Sequence, residues 1–378
     1  MKALGVVLLV AVAGPAAAET ETRALGDGYT LLVENYGAFV VKDRRRARLG
    51  EASTIDDVKV DKKARTVTAV LGDYSCEQSH TSTWTFGHLD ARLENAAAYA
   101  LHRKKDYKAA AAGFARAAAA DPTWNIPAYN LASAHQLAGD RDSAVKALAP
   151  WLASAPIATY VQVTSDPELA PLLARPELTA LRAAKAGTAT ITADGEIEGD
   201  VVISRDKGLL AVTRREASWG ACSYTTELEL RDLKTGALVA RTPVIGWSET
   251  SPDCEEKSMG LTRRARPVVA KRVKALTAML RELGFSKAKL ERGSEPTLDG
   301  DKAKTSFVKA RLGLVAAGGT ARLLSKNTEL GTTRVLHSFR KAVLVDDPKL
   351  VVIWSLRPGA EGCEGSDPTE VAVMKLTP

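Results

Sequence analysis

Residues 91–158 repeat themselves at a spacing of 34, and nothing else in the 378-residue chain narrows its folding options as much. Ala98, Leu101, Asp106, Tyr107, Ala110, Phe114, Ala117 and Pro122 return as Ala132, His135, Asp140, Arg141, Ala144, Leu148, Trp151 and Pro156. Within each copy the pattern predicts two antiparallel helices. Alanines at the crossing let the helices approach closely, and larger residues (Leu101, Tyr107, Phe114, then Leu131 and Leu148) fill the gaps. Proline ends the second helix because it lacks an N–H and biases the preceding residue away from helix. One such pair cannot bury its apolar face alone, so neighbouring pairs are expected to stack.

This pattern resembles the tetratricopeptide repeat (TPR), whose period is also 34 residues. The first copy departs from the family at Lys105, where glycine is usual, and the second at His135, where tyrosine is common. The resemblance implies a helical module that holds a protein or peptide partner on the face built by the first helix of each pair. That face would present Arg92, Asn95, Tyr99, His102 and Arg103, then Tyr129, Ser133 and Gln136. The family's clamp for a C-terminal carboxylate does not carry over: Asn130 falls at one matching offset, but Asn95 and Tyr99 stand where its first Lys and Asn belong. Two repeats fall short of the roughly three needed to stand alone. A short helical cap is therefore expected over 157–185, opened by Ser165-Asp166-Pro167-Glu168 and closed by Gly187.

The first segment predicts export. Lys2, the apolar run Leu4 to Val12 and Ala16-Ala17-Ala18 read as a signal peptide cut after Ala18. The run is shorter than the ~20 apolar residues of a spanning helix. No cysteine follows it to carry a lipid anchor, and no later segment is apolar enough to span a membrane. The expected location is periplasmic or secreted, with the Ala/Arg-rich composition suggesting a GC-rich bacterium. Cys76, Cys222, Cys254 and Cys363 form no C-x-x-C, so paired zinc spacings are absent. In an oxidising compartment they predict disulfides. Three connectivities are open; the pair closest in sequence, Cys222–Cys254, is favoured and leaves Cys76–Cys363.

On both sides of the helical stretch, short apolar runs alternate with turn residues. Residues 19–88 predict a small β-rich domain. Residues 187–378 predict an α+β domain with β-hairpins, one turning at Lys234-Thr235-Gly236, and a helix over about 267–283. That helix shows an apolar stripe at Val269, Val273, Leu276, Leu280 and Leu283, with Gly284 as its stop. The expected fold class is thus α+β multidomain: a β-rich N-terminal domain, all-α TPR hairpins over 89–186, and a β-rich α+β C-terminal domain.

Lys+Arg number 52 against 45 Asp+Glu. The excess is local: from Lys257 to Arg311 there are 15 basic and 5 acidic residues, which leaves the rest of the chain net acidic. Arg263, Arg264, Arg266, Lys271, Arg272 and Lys274 form a candidate anion-binding patch whose field would be salt-sensitive. Outside the cytoplasm the partner would be an anionic envelope polymer, lipid headgroups or an acidic protein. Nucleic acid is disfavoured by location and by the lack of interleaved aromatics for base stacking.

No reaction can be read from the chain. Ser204–Lys207 matches S-x-x-K and Lys234–Gly236 matches K-T-G, a pairing found in penicillin-binding acyl transferases. Ser204 follows strand-like Val201–Ile203 instead of opening a helix, and no S-D-N lies between the motifs. His80, His88, His102, His135 and His337 form no tight metal spacing, and Asp299-Gly300-Asp301 lacks the rest of a calcium loop. No cofactor or metal site is expected. The first reading is an exported, non-catalytic adaptor binding a protein or peptide through a TPR surface. The alternatives are an envelope hydrolase or transferase with its site in the C-terminal domain, or a polyanion-binding envelope module.

Overall fold

The structure is a computed structural model that describes residues 20–376 apart from 51, 74–77, 219–222, 251–259, 300–301, 327, 336–337, 357–365 and 368. The chain divides into two compact units, Met1–Pro127 and Ala128–Pro378.

In the first unit, β1 (Glu21–Gly26), β2 (Tyr29–Glu34), β3 (Gly37–Lys42) and β4 (Arg45–Gly50) form an antiparallel meander. Its three two-residue turns hold both residues at positive φ (Asp27 and Gly28, Asn35 and Tyr36, Asp43 and Arg44), the geometry that matches strand twist in tight hairpins. A second sheet contains β5 (Thr54–Asp61), β6 (Thr66–Asp73) and β7 (Gln78–Thr85). Alternation puts Tyr29, Leu31 and Val33 of β2 and Val67, Ala69 and Leu71 of β6 inside. They share one core with Phe86, Leu89 and Leu93 of helix α1 (Phe86–Arg103). Thr85 caps α1 by accepting the His88 N–H at 3.0 Å. Helix α2 (Tyr107–Ala120), capped by Asp106, packs tightly on α1: a Cβ added at Gly113 would lie 2.7 Å from that of Ala98.

The second unit is layered. Its helices are α3 (Ile126–Leu137), which begins at the boundary, α4 (Arg141–Ser154), α5 (Pro156–Ser165) and α6 (Pro176–Thr179). Strands β8 (Val201–Ser204), β9 (Leu209–Ser218), β10 (Ser223–Asp232) and β11 (Leu238–Ile245) follow, then α7 (Ala265–Glu282) and β12 (Ser286–Lys287). These five strands make one antiparallel sheet in the order β11-β10-β9-β8-β12. After β13 (Leu290–Arg292) come β14 (Thr297–Asp299), β15 (Lys302–Phe307), β16 (Leu312–Ala317), β17 (Thr320–Ser325) and β18 (Thr328–Arg334), a five-stranded meander. The remaining strands are β19 (Ser338–Val345), β20 (Leu350–Leu356), β21 (Ser366–Asp367) and β22 (Thr369–Lys375). The last full sheet runs β13-β19-β20-β22, and β21 adds to β9.

The first of these sheets packs Ala211, Leu228, Leu230 and Val244 against Tyr160 and Val163 of α5 and Val269, Leu276 and Leu280 of α7. Its other face meets the β13-β19-β20-β22 sheet through Leu210, Val212, Val343, Val352 and Trp354. That sheet's far side, Val351 and Ile353 included, packs on Phe307, Leu314 and Leu323 of the meander. The order is helices, sheet, sheet, sheet. A strand buried on both faces reads as an unbroken apolar run, which is why Leu350–Trp354 does not alternate.

The expected fold class therefore needs correcting. Among the described residues the protein is β-rich, with five antiparallel sheets and seven helices, and no module of TPR hairpins occupies its middle. Helices do lie there, but the boundary between units falls between the two copies of the 34-residue pattern. The first copy belongs with the N-terminal sheets, and the second with the layered C-terminal unit. The physical reason is that small and large residues at helical spacing report which face is buried, not what covers it. In the first copy α1 meets α2 at Ala98 and Gly113 and the sheets at Phe86, Leu89 and Leu93.

Candidate functional site

Helix α7 presents a basic outer face. Its apolar stripe (Val269, Leu276, Met279, Leu280) is buried, and Gly284, at φ +81°, ends it. Arg263 and Arg264, just ahead of the helix, and Arg266, Lys271 and Lys274 on it are exposed. From Arg264 to Lys274 the row extends about 15 Å at ~1.5 Å per residue. No acidic residue stands in the first turn. Among the described residues, none of these five side chains has a carboxylate within ion-pair distance. Three arginines therefore sit at the positive end of the helix dipole, where each cation costs roughly 0.3–1 kcal/mol.

Arg272, the sixth residue of the expected patch, points elsewhere. Its guanidinium donates to both oxygens of Glu249, at 2.7 and 2.9 Å, and to the Val244 carbonyl at 3.0 Å. Burial opposes ionisation of Glu249. The Arg272 bonds and a 2.8 Å bond from the Gly246 N–H outweigh it and hold the carboxyl below its usual range. Arg272 is a staple between α7 and the turn after β11.

The expected partner face is split. Arg92, Asn95, Tyr99, His102 and Arg103 are all on α1, in the first unit. Arg92 donates to His88 Nε2 at 3.1 Å and lies 4.4 Å over the Trp124 ring. His88 Nδ1 bonds Asp121 at 2.6 Å. Burial raises the Asp121 pKa, but bonds from Thr123 and His88 bring it below the ordinary value. Tyr99 is 48 % exposed, its ring stacked 5.9 Å from His102, with Arg103 over it at 5.6 Å. In the second unit, Tyr129 and Ser133 are buried, at 6 % and 4 % exposure. Tyr129 donates to Thr159 at 3.4 Å and Ser133 to Glu168, so both hydroxyls are engaged inside their own unit. Gln136 is half-buried.

Sequence reasoning missed a charged network in the layered unit. Glu227, Glu229 and Arg231 alternate along β10 with buried Leu228 and Leu230, which reads as a solvent-facing row. The second sheet covers that row. Glu229, at 0 % exposure, takes Arg231 and Arg241 at 2.7 Å each, with Arg214 at 3.8 Å. Glu227 binds Arg214 and, at 3.6 Å, Arg241. The signal available in the sequence was the apolar run Leu350–Trp354, which announces a strand needing cover on both sides.

The two tempting motifs are structural. Ser204 is buried in β8 and donates to the Leu283 carbonyl at 2.6 Å. Lys234-Thr235-Gly236 is the β10–β11 turn, closed by Asp232 accepting N–H groups from Lys234 and Thr235. Among the described residues no group of three His, Cys, Asp or Glu side chains is placed to hold a metal ion. No described helix is long and apolar enough to cross a membrane. Cys76, Cys222, Cys254 and Cys363, with both expected disulfides, lie outside the described residues. No family model matches the chain, and neither a curated protein nor a solved structure matches it.

Proposed function

We propose that the chain is an exported, non-catalytic binding protein that holds an anionic envelope polymer on the outer face of α7. One observation carries this reading. Arg263, Arg264 and Arg266 crowd the positive end of a helix whose first turn has no acid, and Lys271 and Lys274 extend the row. The arrangement breaks a local stability rule without any compensating carboxylate among the described residues, as surfaces kept for an anion do. A polymer suits this surface better than a membrane. Val268, 53 % exposed, is the large apolar side chain on that face, far short of the broad apolar face an interfacial helix inserts.

The test is binding of the full chain to polyglutamate and to a sulfated glycan, followed as salt rises from about 0.05 M to about 0.3 M. Affinity should fall steeply with salt, and the pair K271E/K274E should abolish it with an unchanged melt. Binding that ignores salt, or survives both substitutions, would sink the proposal. A second reading, a protein partner on α1, is supported by the exposed Tyr99–His102 stack with Arg103 above it. It is checked by partner recovery from envelope extract with Tyr99→Ala.

A further inference from the structure

Strand β9 has a gap along one edge. Strand β8 pairs it as far as Val212, and β21 resumes at Ala217. Among the described residues, no strand pairs Thr213–Glu216 on that side. The gap opens into a cleft of about 130 Å³ lined by Glu196, Asp200, Thr213, Arg215, Lys341 and Trp354. Its walls are held firmly. Trp354 Nε1 donates to the Thr213 carbonyl at 2.9 Å, and the Ile197 N–H donates to Thr213 Oγ1 at 3.2 Å. Asp200 sits at φ +73°, a strained conformation for a residue with a side chain, and is gripped by Lys341 and, at 2.9 Å, by Arg292.

Two charges in this frame are not used up. The Arg215 guanidinium carbon lies over the Tyr224 ring, 3.9 Å from its centroid. Among the described residues it makes no hydrogen bond, only a long ion pair with Glu196 at 3.9 Å. The Glu196 carboxylate likewise accepts no hydrogen bond among the described residues; the residue's carbonyl takes the Thr192 N–H at 2.8 Å. A stacked guanidinium with an open fork is a bidentate receptor for a carboxylate. A carboxylate with open lone pairs is a receptor for an ammonium. The two stand a few ångströms apart, matching a ligand whose own opposite charges flank a single carbon.

We propose that this cleft binds an α-amino acid group, its carboxylate on Arg215 with Lys341 alongside, and its ammonium on Glu196. No residue lining the cleft belongs to α7, so this site is separate from the α7 face and stands or falls without it. The ligand is either a free amino acid or an α-amino acid group hung from an envelope peptide by its side chain.

The experiment is calorimetric titration of the full chain with L-alanine, D-alanine, Nε-acetyl-lysine, ethylamine and propionate. At least one zwitterion should bind, and the two singly charged analogues at least about tenfold more weakly, the size of one charge-assisted hydrogen bond. Alanine binding alone identifies the free amino acid; Nε-acetyl-lysine binding as well or better identifies the pendant group. R215Q and E196Q should each lower zwitterion affinity by a similar factor. Glu196 is exposed and among the described residues its carboxylate makes only the long pair, so E196Q should melt like the parent chain even if R215Q does not. Absence of zwitterion binding, equal binding of ethylamine or propionate, or undiminished binding by E196Q would overturn the proposal.

Discussion

Replacing Glu229 with Gln tests how the layered unit is held together. The carboxylate is fully buried and takes two arginines at 2.7 Å and a third at 3.8 Å. Gln keeps the shape and one acceptor oxygen but removes the charge, leaving three arginines facing Glu216 and Glu227 alone. Breaking a buried pair from one side costs about 3–5 kcal/mol, because the remaining charge has lost its water and gained nothing. Glu227 still neutralises part of the excess, so the low end, about 3 kcal/mol, is expected. For a unit of this size that lowers the melting midpoint by about 6–12 °C, at roughly 2–4 °C per kcal/mol. Arg241 provides the control: its side chain is 38 % exposed, so water can replace it, and R241Q should cost about 1 kcal/mol. Urea and thermal denaturation of both variants, followed by circular dichroism, give the two numbers. If E229Q costs less than about 1 kcal/mol, or no more than R241Q, the view of Glu229 as the hub of a desolvated network is wrong.

Two further outcomes follow from close contacts. Burial, then the bond to Glu282, pushes the Tyr160 phenol up to about 12. Because the folded pKa is raised, its contribution to stability is intact below about pH 10 and is lost as pH climbs toward 12, where the unfolded chain releases this proton and the folded one keeps it. Urea midpoints across that window should fall more steeply for the parent than for Tyr160→Phe; equal slopes would refute the assignment. A Cβ at Gly187 would lie 1.9 Å from the Phe285 carbonyl oxygen, a backbone atom that cannot swing away. Gly187→Ala should therefore destabilise by about 3 kcal/mol or more, as overpacking at its upper range does. A melt within a degree or two of the parent would contradict that geometry.

How much of this was legible in the sequence varied with the kind of signal. The stripe from Val269 to Leu283 and its glycine stop describe α7 because both are local, set by helical period and by a φ that favours glycine. The Lys234–Gly236 turn was legible for the same reason. The alanine-rich stretch misled because burial on one helix face looks alike whether a helix or a sheet lies across it. Phe86, Leu89 and Leu93 join a β core, and Tyr160 and Val163 join another. Tyr129 and Ser133, assigned to a binding face, are buried instead. The Arg215–Glu196 cleft had no signature at all: its walls run from Glu196 to Trp354 in the chain, and only the pairing of β8, β9 and β21 brings them to one edge.

The two ends of α7 are rooted differently. Near its C-terminal end, Ala183 N–H bonds Glu282, Gly187 N–H bonds Arg281 and Ala189 N–H bonds Phe285, while Arg281 returns a bond to the Ala189 carbonyl. Ser204 ties the adjoining turn to β8, and Arg272 ties the helix midpoint to Glu249. The arginine end is tied through other partners: the Thr262 N–H donates to the Glu249 carbonyl at 2.9 Å, Leu261 bridges Thr250, and Arg266 Nε donates to the Leu261 carbonyl at 3.3 Å. Mechanically, α7 is a spar made fast at both ends. Tension applied to Arg264 would run down the rod into the stacked sheets instead of peeling the helix away, the behaviour of an anchor point.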